Sequence, residues 1–221
     1  MKLKMLTMIV LFMIPSFLLC QAMYVDQGNA IAVFGSYDSE TDSDGKATTI
    51  AVNGCYTLAG NIDLIVGVGK YSYSYDTDDY FDFGGTELDF AGYYHIKSEN
   101  LPFNVKLGGG YGSGSFESDF FDDFDLEVTF NAMSFGGGIY KSVLKTDTYE
   151  IIPFVDVASV STTLEMEDTY YNETDSDTDS FSTFGFGFGL MMNNGFVVEP
   201  TVSQIDGDTE INLSLGMVLP L

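Results

Sequence analysis

The sequence predicts an all-β protein, a single up-and-down antiparallel β-barrel of about ten strands, with eight strands as the alternative count. Two observations carry this prediction. Apolar and polar residues alternate along most of the chain, which is the period of a strand with two different faces. The connections between these runs also follow a regular order, in which a long acidic connection is followed each time by a short one. A length of 221 residues suits one such domain.

The first 22 residues form a different kind of segment, which we predict to be a cleaved secretory signal peptide. It begins with Lys2 and Lys4, continues as an apolar run from Met5 to Leu19, and ends in Cys20-Gln21-Ala22. Cleavage after Ala22 fits the small residues at the −3 and −1 positions, and lipid attachment at Cys20 is the alternative. Residues 23–221 would then form the barrel domain. Cys55, its single cysteine, is predicted to pack within a strand.

The charge is extreme for a chain that is 45% hydrophobic. There are 33 acids, eight lysines and no arginine, giving a net charge of −25. Loss of two lysines with the signal peptide leaves six against 33 acids, a net charge of −27. Nucleic acid is excluded as a partner, because binding phosphates requires clustered cations. The apolar and acidic residues must therefore be separated within the fold.

Ten segments have the alternation of strands. The clearest is Phe184–Leu190, where three phenylalanines and a leucine face away from three glycines. The apolar residues change phase after Lys70 in the third segment and near Met133 in the sixth, and either β-bulges or inexact segment borders would explain these changes. The segments lie near residues 28–38, 47–58, 61–76, 86–97, 102–116, 126–143, 149–165, 181–193, 196–204 and 209–221.

The connections predict a polarity along the strands. Sequential antiparallel strands place every second connection at the same end of the sheet. One end is therefore expected to carry long, negative loops, and the other to carry short turns and both termini, on the periplasmic side. The long connections contain 22 of the 33 acids and are Asp38–Lys46, Asp76–Gly85, Glu117–Asp125, Glu165–Ser180 and Gln204–Asp208.

The side chains opposite the apolar face decide between two architectures. A soluble secreted barrel buries its apolar face, whereas a membrane barrel turns that face to lipid and fills its lumen with small and polar residues. Here the opposite face is mostly Gly, Asn, Ser, Glu and Lys. We therefore predict a transmembrane barrel and keep the soluble barrel as the alternative.

Two stretches carry a family resemblance. Thr49–Tyr71 reads TIAVNGCYTLAGNIDLIVGVGKY, and Glu210–Leu221 reads EINLSLGMVLPL. Both resemble strands of small bacterial outer-membrane β-barrel proteins of the porin-like or OmpA-barrel type. The resemblance implies residence in a Gram-negative outer membrane and insertion by the barrel-assembly machinery. That machinery usually reads an aromatic C-terminal residue, and Leu221 holds the position here.

His95 is the only histidine and the natural candidate for catalysis. It falls near the short-turn end of the fourth strand, in phase with Glu87 and Asp89. Barrel enzymes of the resembling type hold their sites towards the extracellular side, so His95 is interpreted as lumen filler. The chain also lacks GxSxG and HExxH motifs. We predict no catalytic residue and no enzyme.

Charged residues within the predicted membrane strands are expected to point into the lumen, because charges at membrane depth normally face a lumen and pair there. Such charges form either an ion-paired plug or the wall of a narrow channel for small solutes. The predicted inward residues are Asp63, Lys70, Glu87, Asp89, Lys106, Glu199 and Glu210.

The acidic loops suggest a cation site. Glu40, Asp42 and Asp44, followed by Gly45, resemble the first half of a calcium loop, although Ala51 stands where the distal glutamate belongs. The two interpretations are a solvated acidic loop and a weak Ca²⁺ or Mg²⁺ site. Divalent cations would also bridge this acidic surface to the anionic lipopolysaccharide of the outer leaflet. No other cofactor is predicted.

Three functions follow from these features. The first is a non-enzymatic surface or structural protein that uses its acidic extracellular loops for adhesion, cation binding or envelope integrity. The alternative is a narrow cation-selective porin with an acidic mouth. A barrel enzyme is the third.

Overall fold

The structure, a computed structural model, describes residues 24–25, 28–41, 45–75, 82–171, 173–205 and 208–221. The predicted signal peptide, residues 1–22, lies outside them. The strands are β1 Ala30–Thr41, β2 Gly45–Leu58, β3 Ile62–Tyr75, β4 Phe83–Ile96, β5 Asn104–Glu117, β6 Leu126–Tyr140, β7 Leu144–Lys145, β8 Tyr149–Asp168, β9 Glu173–Met192, β10 Phe196–Ile205 and β11 Asp208–Pro220. A short helix, α1, spans Asp119–Asp123. Within these ranges no helix has the length and hydropathy needed to cross a membrane.

Ten of the strands close into a barrel, as predicted. Each pairs antiparallel with the next, β8 follows β6 in the wall, and β11 pairs with β1 to complete the ring. The two-residue β7 lies beside the start of β8. Ala30 at the start of β1 pairs with Pro220 at the end of β11. Both lie at the end of the barrel that also holds the short turns.

The alternating faces are also confirmed. Phe184, Phe186 and Phe188 of β9 point outward, each about half exposed. The glycines between them face the lumen, where a Cβ on Gly187 would lie 2.7 Å from the ring of Phe154. The outward side chains of β11 are likewise apolar and exposed, while its inward residues are buried. Apolar side chains therefore form a band around the outside of the barrel.

The predicted bulges in the third and sixth strands are wrong. Pairing of β3 with β2 and β4, and of β6 with β5 and β8, runs without an inserted residue. Leu64 and Val66 face outward near the short-turn end of β3, whereas Tyr71 and Tyr73 are buried on its inward face. The alternation of inward and outward residues is therefore continuous along both strands. Near the short turns the large apolar residues are on the outward face, and near the long connections they are on the inward face.

The largest departure from prediction is the segment Glu165–Ser180, predicted as an acidic loop. Most of it is strand, because β8 and β9 are each 20 residues long and pair along their whole length. Cross-strand hydroxyl pairs support the polar part: the Oγ1 atoms of Thr163 and Thr178 lie 3.0 Å apart. In this ribbon β8 stays paired with β6 up to Asp168, whereas β9 continues past the last residue that pairs with β10. We call the part of the ribbon past that point, Ser161–Ser182, the acidic hairpin.

Helix α1 lies in another segment predicted as a loop, Glu117–Asp125. Its N-cap is Ser118, whose hydroxyl accepts a hydrogen bond from the Phe121 N–H at 3.1 Å. Acidic Asp119 and Asp122 in the first turn suit the positive end of the helix. The helix turns Phe121 into the mouth of the barrel, where it is buried.

Candidate functional site

Aromatic side chains fill the lumen at the long-connection end. We call this group the aromatic plug, and its members are Tyr71, Tyr73, Phe83, Phe116, Phe121 and Phe130. Tyr71 and Phe116 meet edge to face with ring centroids 5.0 Å apart, and Phe116 and Phe130 lie 5.2 Å apart. Such pairs stabilise packing beyond the area they bury. The plug explains why the apolar residues of β3 and β6 turn inward here.

Three further features hold the plug in place. The Tyr71 hydroxyl donates to the Ser115 carbonyl oxygen at 2.6 Å, which satisfies its one polar group. Glycine supplies space, since a Cβ on Gly114 would lie 2.5 Å from Phe130 Cζ. Leu164 and Met166 of the acidic hairpin also pack against the plug. Mouth and hairpin are therefore parts of one packed unit.

The predicted lumen charges are mostly placed correctly. Six of the seven are buried on the inward face: Asp63, Glu87, Asp89, Lys106, Glu199 and Glu210. The prediction for Lys70 is wrong, because its side chain is exposed on the outer wall. Without a bulge in β3, residue 70 has the opposite phase to Asp63. Lys70 lies where the apolar band ends, a position from which a lysine ammonium can reach the aqueous boundary.

Lys106 forms the main ion pair of the lumen. Its Nζ lies 2.9 Å from Asp156 Oδ2, and both side chains are almost fully buried. The ammonium also lies over the rings of Tyr93 and Phe154, at 5.9 and 5.5 Å from their centroids. Sequence reasoning missed Asp156. Its phase on β8 marks it as an inward acid, but only the register between strands shows that it, among several inward acids, pairs with Lys106.

His95 sits at the short-turn end, as predicted. Its Nε2 lies 3.2 Å from Asp63 Oδ2, and its Nδ1 lies 3.0 Å from the Tyr140 hydroxyl. The Thr57 hydroxyl donates to Asp63 Oδ1 at 2.7 Å. The His95 and Asp63 side chains are 1% and 0% exposed, so a substrate has no access to them in this conformation. We call Asp63, His95, Lys106, Tyr140 and Asp156 the basal cluster.

The chain just before β1 closes the same end of the barrel. Tyr24 and Val25 are both buried. The Tyr24 hydroxyl donates to the carboxylate of Glu199, and the Lys97 ammonium donates to the Val25 carbonyl. Gly189 leaves room for the Tyr24 ring. Cys55 is buried in the same apolar cluster, as predicted for a packed cysteine.

The predicted cation site is not tested by the structure. Asp42 and Asp44 lie outside the described residues, and only the backbone of Glu40 is described, within β1. Across the described ranges, no group of three or more His, Cys, Asp or Glu side chains has an arrangement that would hold a metal ion. The site at Glu40, Asp42 and Asp44 therefore stays a prediction.

The acidic hairpin presents a free strand edge. β9 pairs with β8 over its full length, but its pairing with β10 extends only to Thr183. Along Glu173–Ser182 no described strand pairs with the other edge, which we call the acidic edge. Four acids alternate along it on one face of the ribbon, and the residues from 173 to 180 are exposed. They are Glu173, Asp175, Asp177 and Asp179.

The tip of the hairpin is aromatic and fixed to the mouth. Tyr170 and Tyr171 are 75% and 71% exposed, and their rings meet edge to face at 4.9 Å. Their backbone N–H groups both donate to Asp168 Oδ1. Thr169 donates from its backbone and its hydroxyl to the Asp125 carbonyl, beside α1. The tip is therefore an ordered surface and not a free loop.

Comparison with known proteins identifies the fold. No family model and no curated protein matches the chain. The translocator domain of the autotransporter NalP from Neisseria meningitidis has a TM-score of 0.55 and 10% identity, over 88% of this chain and 89% of that one. The β domain of the Bordetella autotransporter BrkA has 0.53 and 10%, over 88% and 99%. The N-terminal barrel of Pseudomonas aeruginosa OprF has 0.39 and 9%, over 88% and 100%.

The first two likenesses show a shared fold, and the apolar band shows the environment in which that fold is stable. An exposed apolar belt around a charged lumen requires lipid outside the wall. This chain has the fold of a small bacterial outer-membrane β-barrel. In an outer-membrane barrel, long connections lie on one side of the membrane and short turns on the other. The acidic hairpin and the basal cluster therefore lie at opposite sides of this protein's membrane.

Proposed function

We propose that this outer-membrane barrel is a non-enzymatic surface protein whose acidic edge pairs with an extended, cationic segment of another protein. The observation that supports the proposal is the free edge of β9 along Glu173–Ser182. An unpaired strand edge offers a row of N–H and C=O groups, and a partner strand adds to it by main-chain hydrogen bonds. Ten residues of strand span about 33 Å.

The composition of the acidic edge favours a cationic partner. Natural edges are commonly protected by lysine or proline, and Glu173–Ser182 contains neither. Its alternating acids are spaced about 7 Å apart along one face, which matches the spacing of alternate residues in a paired strand. The chain has no lysine or arginine after Lys145, so its C-terminal third supplies no competing cation. A strand with alternating lysines complements this edge in both charge and period.

The filled lumen supports an anchoring role for the barrel over the porin alternative. The aromatic plug occupies the mouth, and the basal cluster with Tyr24 occupies the other end. Between them lie buried charged and polar side chains, Glu87 and Asp89 among them. A barrel filled in this way holds the hairpin at the surface without providing an aqueous path.

Divalent cations belong to the same proposal. Weak binding of Ca²⁺ or Mg²⁺ at Glu40, Asp42 and Asp44 and along the acidic edge would reduce repulsion between this surface and anionic lipopolysaccharide. The same cations would compete with a cationic partner for the carboxylates. Binding of such a partner is therefore expected to weaken as the Ca²⁺ concentration rises.

The test uses a shortened hairpin. Residues 164–177 are replaced by Asn-Gly, which joins the paired Thr163 and Thr178 by a tight turn. The change removes most of the acidic edge together with the end of β8 that pairs with Leu126–Phe130 of β6, so heat-modifiable gel mobility must first show that the shortened barrel is folded. The probe is a fluorescent ten-residue peptide of alternating lysine and threonine, titrated against detergent-solubilised protein by anisotropy. We expect the shortened protein to bind at least about tenfold more weakly than the full-length protein.

Two controls separate the edge from its charge. Replacing Asp175, Asp177 and Asp179 together by asparagine keeps the edge but removes three charges, and it should weaken binding mainly at low salt. A peptide of alternating glutamate and threonine should not bind the unmodified protein. Equal affinity of the lysine peptide for the full-length and shortened proteins would refute the proposal.

A further inference from the structure

A groove of about 650 Å³ crosses the outer wall of the barrel over β6, β8, β9 and β10. Some of the side chains that line it are apolar and others are polar. Strand pairing brings the two kinds together, since Phe135 pairs with Ser159, Ser159 with Ser182, and Phe184 with Gln204. The apolar residues that matter here are Phe135, Val157 and Phe184, and the polar ones are Ser159, Ser182 and Gln204.

The groove lies where the apolar band ends. On β8 the outward residues from Ile151 to Val157 are apolar, and Ser159 is the first polar one. On β9 the outward side chains are apolar from Met192 to Phe184, and Ser182 is the first polar one. The same change occurs at Gln204 of β10. Because this boundary is on the long-connection side, the groove spans the junction between hydrocarbon and headgroups in the outer leaflet.

The described pairing between β9 and β10 ends beside the groove, at Thr183 with Ile205. The groove combines apolar side chains with the hydroxyls of Ser159 and Ser182 and the side-chain amide of Gln204, which can hydrogen-bond to a ligand.

We propose that this groove binds one membrane lipid. An acyl chain lies along Phe135, Val157 and Phe184. The carbonyl oxygen that joins this chain to the headgroup accepts hydrogen bonds from the Ser159 and Ser182 hydroxyls and the Gln204 amide. A neutral carbonyl suits a site close to the acidic hairpin, where a second anion would be repelled. The proposal is independent of the peptide partner proposed for the acidic edge.

The absence of tryptophan from the chain allows a clean test. A single tryptophan is introduced either in the groove by Phe184→Trp or on the far wall by Leu88→Trp. Leu88 is 44% exposed on β4 and, like Phe184, is the last apolar residue before the polar boundary. Both proteins are reconstituted in dioleoylphosphatidylcholine vesicles with increasing fractions of a phosphatidylcholine brominated near the carbonyl end of its chain.

Bromine quenches nearby tryptophan, so the fluorescence reports lipid occupancy. We expect half-maximal quenching of the groove tryptophan at about a threefold lower fraction of brominated lipid than on the far wall. Adding Ser159→Ala and Ser182→Ala to Phe184→Trp should remove this difference, whereas Ser72→Ala, on the outer wall of β3, should not. Heat-modifiable gel mobility confirms that each variant is folded.

Two results would overturn the proposal. The first is coincidence of the groove and far-wall quenching curves, which means that lipid contacts the groove no more strongly than any other part of the band. The second is an unchanged difference after removal of both hydroxyls, which means that the carbonyl is not recognised. Repeating the titration with brominated phosphatidylglycerol tests the neutral acceptor, and quenching that requires this anionic headgroup also contradicts the proposal.

Discussion

At the scale of single residues, glycine determines where an aromatic ring fits inside this barrel. Gly114 of β5 faces Phe130, and Gly187 and Gly189 of β9 face Phe154 and Tyr24. The alternation of phenylalanine and glycine in β9 predicted which face is the lumen. It did not predict the partner rings, because strand register selects Phe154 as the partner of Gly187 and Phe130 as the partner of Gly114, and Tyr24 comes from the segment before β1.

Gly187→Ala is expected to destabilise the barrel by about 1–3 kcal/mol, the usual cost of adding a methyl group to a filled interior. The new Cβ would lie 2.5 Å from the Pro200 carbonyl oxygen and 2.7 Å from the Phe154 ring. Urea unfolding of the protein in lipid vesicles measures the change in free energy of unfolding.

Gly35→Ala is the matched control for this substitution. Gly35 also lies within a barrel strand, but its Cβ would meet only the Ala51 carbonyl oxygen at 4.0 Å. Its free energy of unfolding should change by less than about 0.5 kcal/mol. Equal effects of the two substitutions would show that Gly187 is not selected for the space it leaves to Phe154.

Charged residues show the limit of prediction at this scale. Sequence phase placed Asp63, Glu87 and Asp89 correctly in the lumen, because each alternates with apolar neighbours on its own strand. It failed for Lys70, whose position depended on a bulge that does not exist. The partner of Lys106 could not be identified either, since several acids had a suitable phase and only the register of β8 selects Asp156.

At the scale of elements, the strands inside the membrane were predictable and the acidic hairpin was not. A lipid-facing strand shows itself by large apolar residues at alternate positions. Beyond the band β9 has exposed polar residues on both faces, so Asp175-Ser176-Asp177 carries no apolar signal. What holds this part in strand form is cross-strand pairing with Ser161–Glu165, which is a property of two segments and not of one.

The free edge of β9 has a specific signature in hydrogen exchange. Alternate N–H groups of Glu173–Ser182 point to β8 or away from it, because N–H directions alternate along an antiparallel strand. We expect fast and slow amides to alternate along this segment, whereas amides from Phe184 to Gly187, which pair with both β8 and β10, should all exchange slowly. Residue-resolved NMR in detergent micelles measures this. Uniformly slow exchange along Glu173–Ser182 would show that a further strand covers the edge.

At the scale of the whole molecule, the barrel is closed by different means at its two ends. Aromatic rings and α1 close the mouth, and the basal cluster with Tyr24 closes the short-turn end. The sequence indicated charged residues in the lumen but left plug and channel as alternatives. Only the positions of the aromatic residues on four strands and one short helix distinguish them, and these meet through the tertiary fold.

Planar bilayers containing the protein are expected to show no steady conductance, because both ends of the lumen are filled. Combined replacement of Phe116, Phe121 and Phe130 by alanine empties much of the mouth and should produce at most brief openings, since the basal cluster remains. A steady cation-selective current through the unmodified protein would contradict the sealed lumen and support the porin alternative.

The packing of Leu164 and Met166 against the aromatic plug gives the acidic hairpin a stiff base. The hairpin is also tied near its tip by the bonds from Thr169 to Asp125. A pulling force applied at Tyr170 or Tyr171 would therefore reach the rings in the mouth through Leu164 and Met166, and the barrel wall through the pairing of β8 with β6.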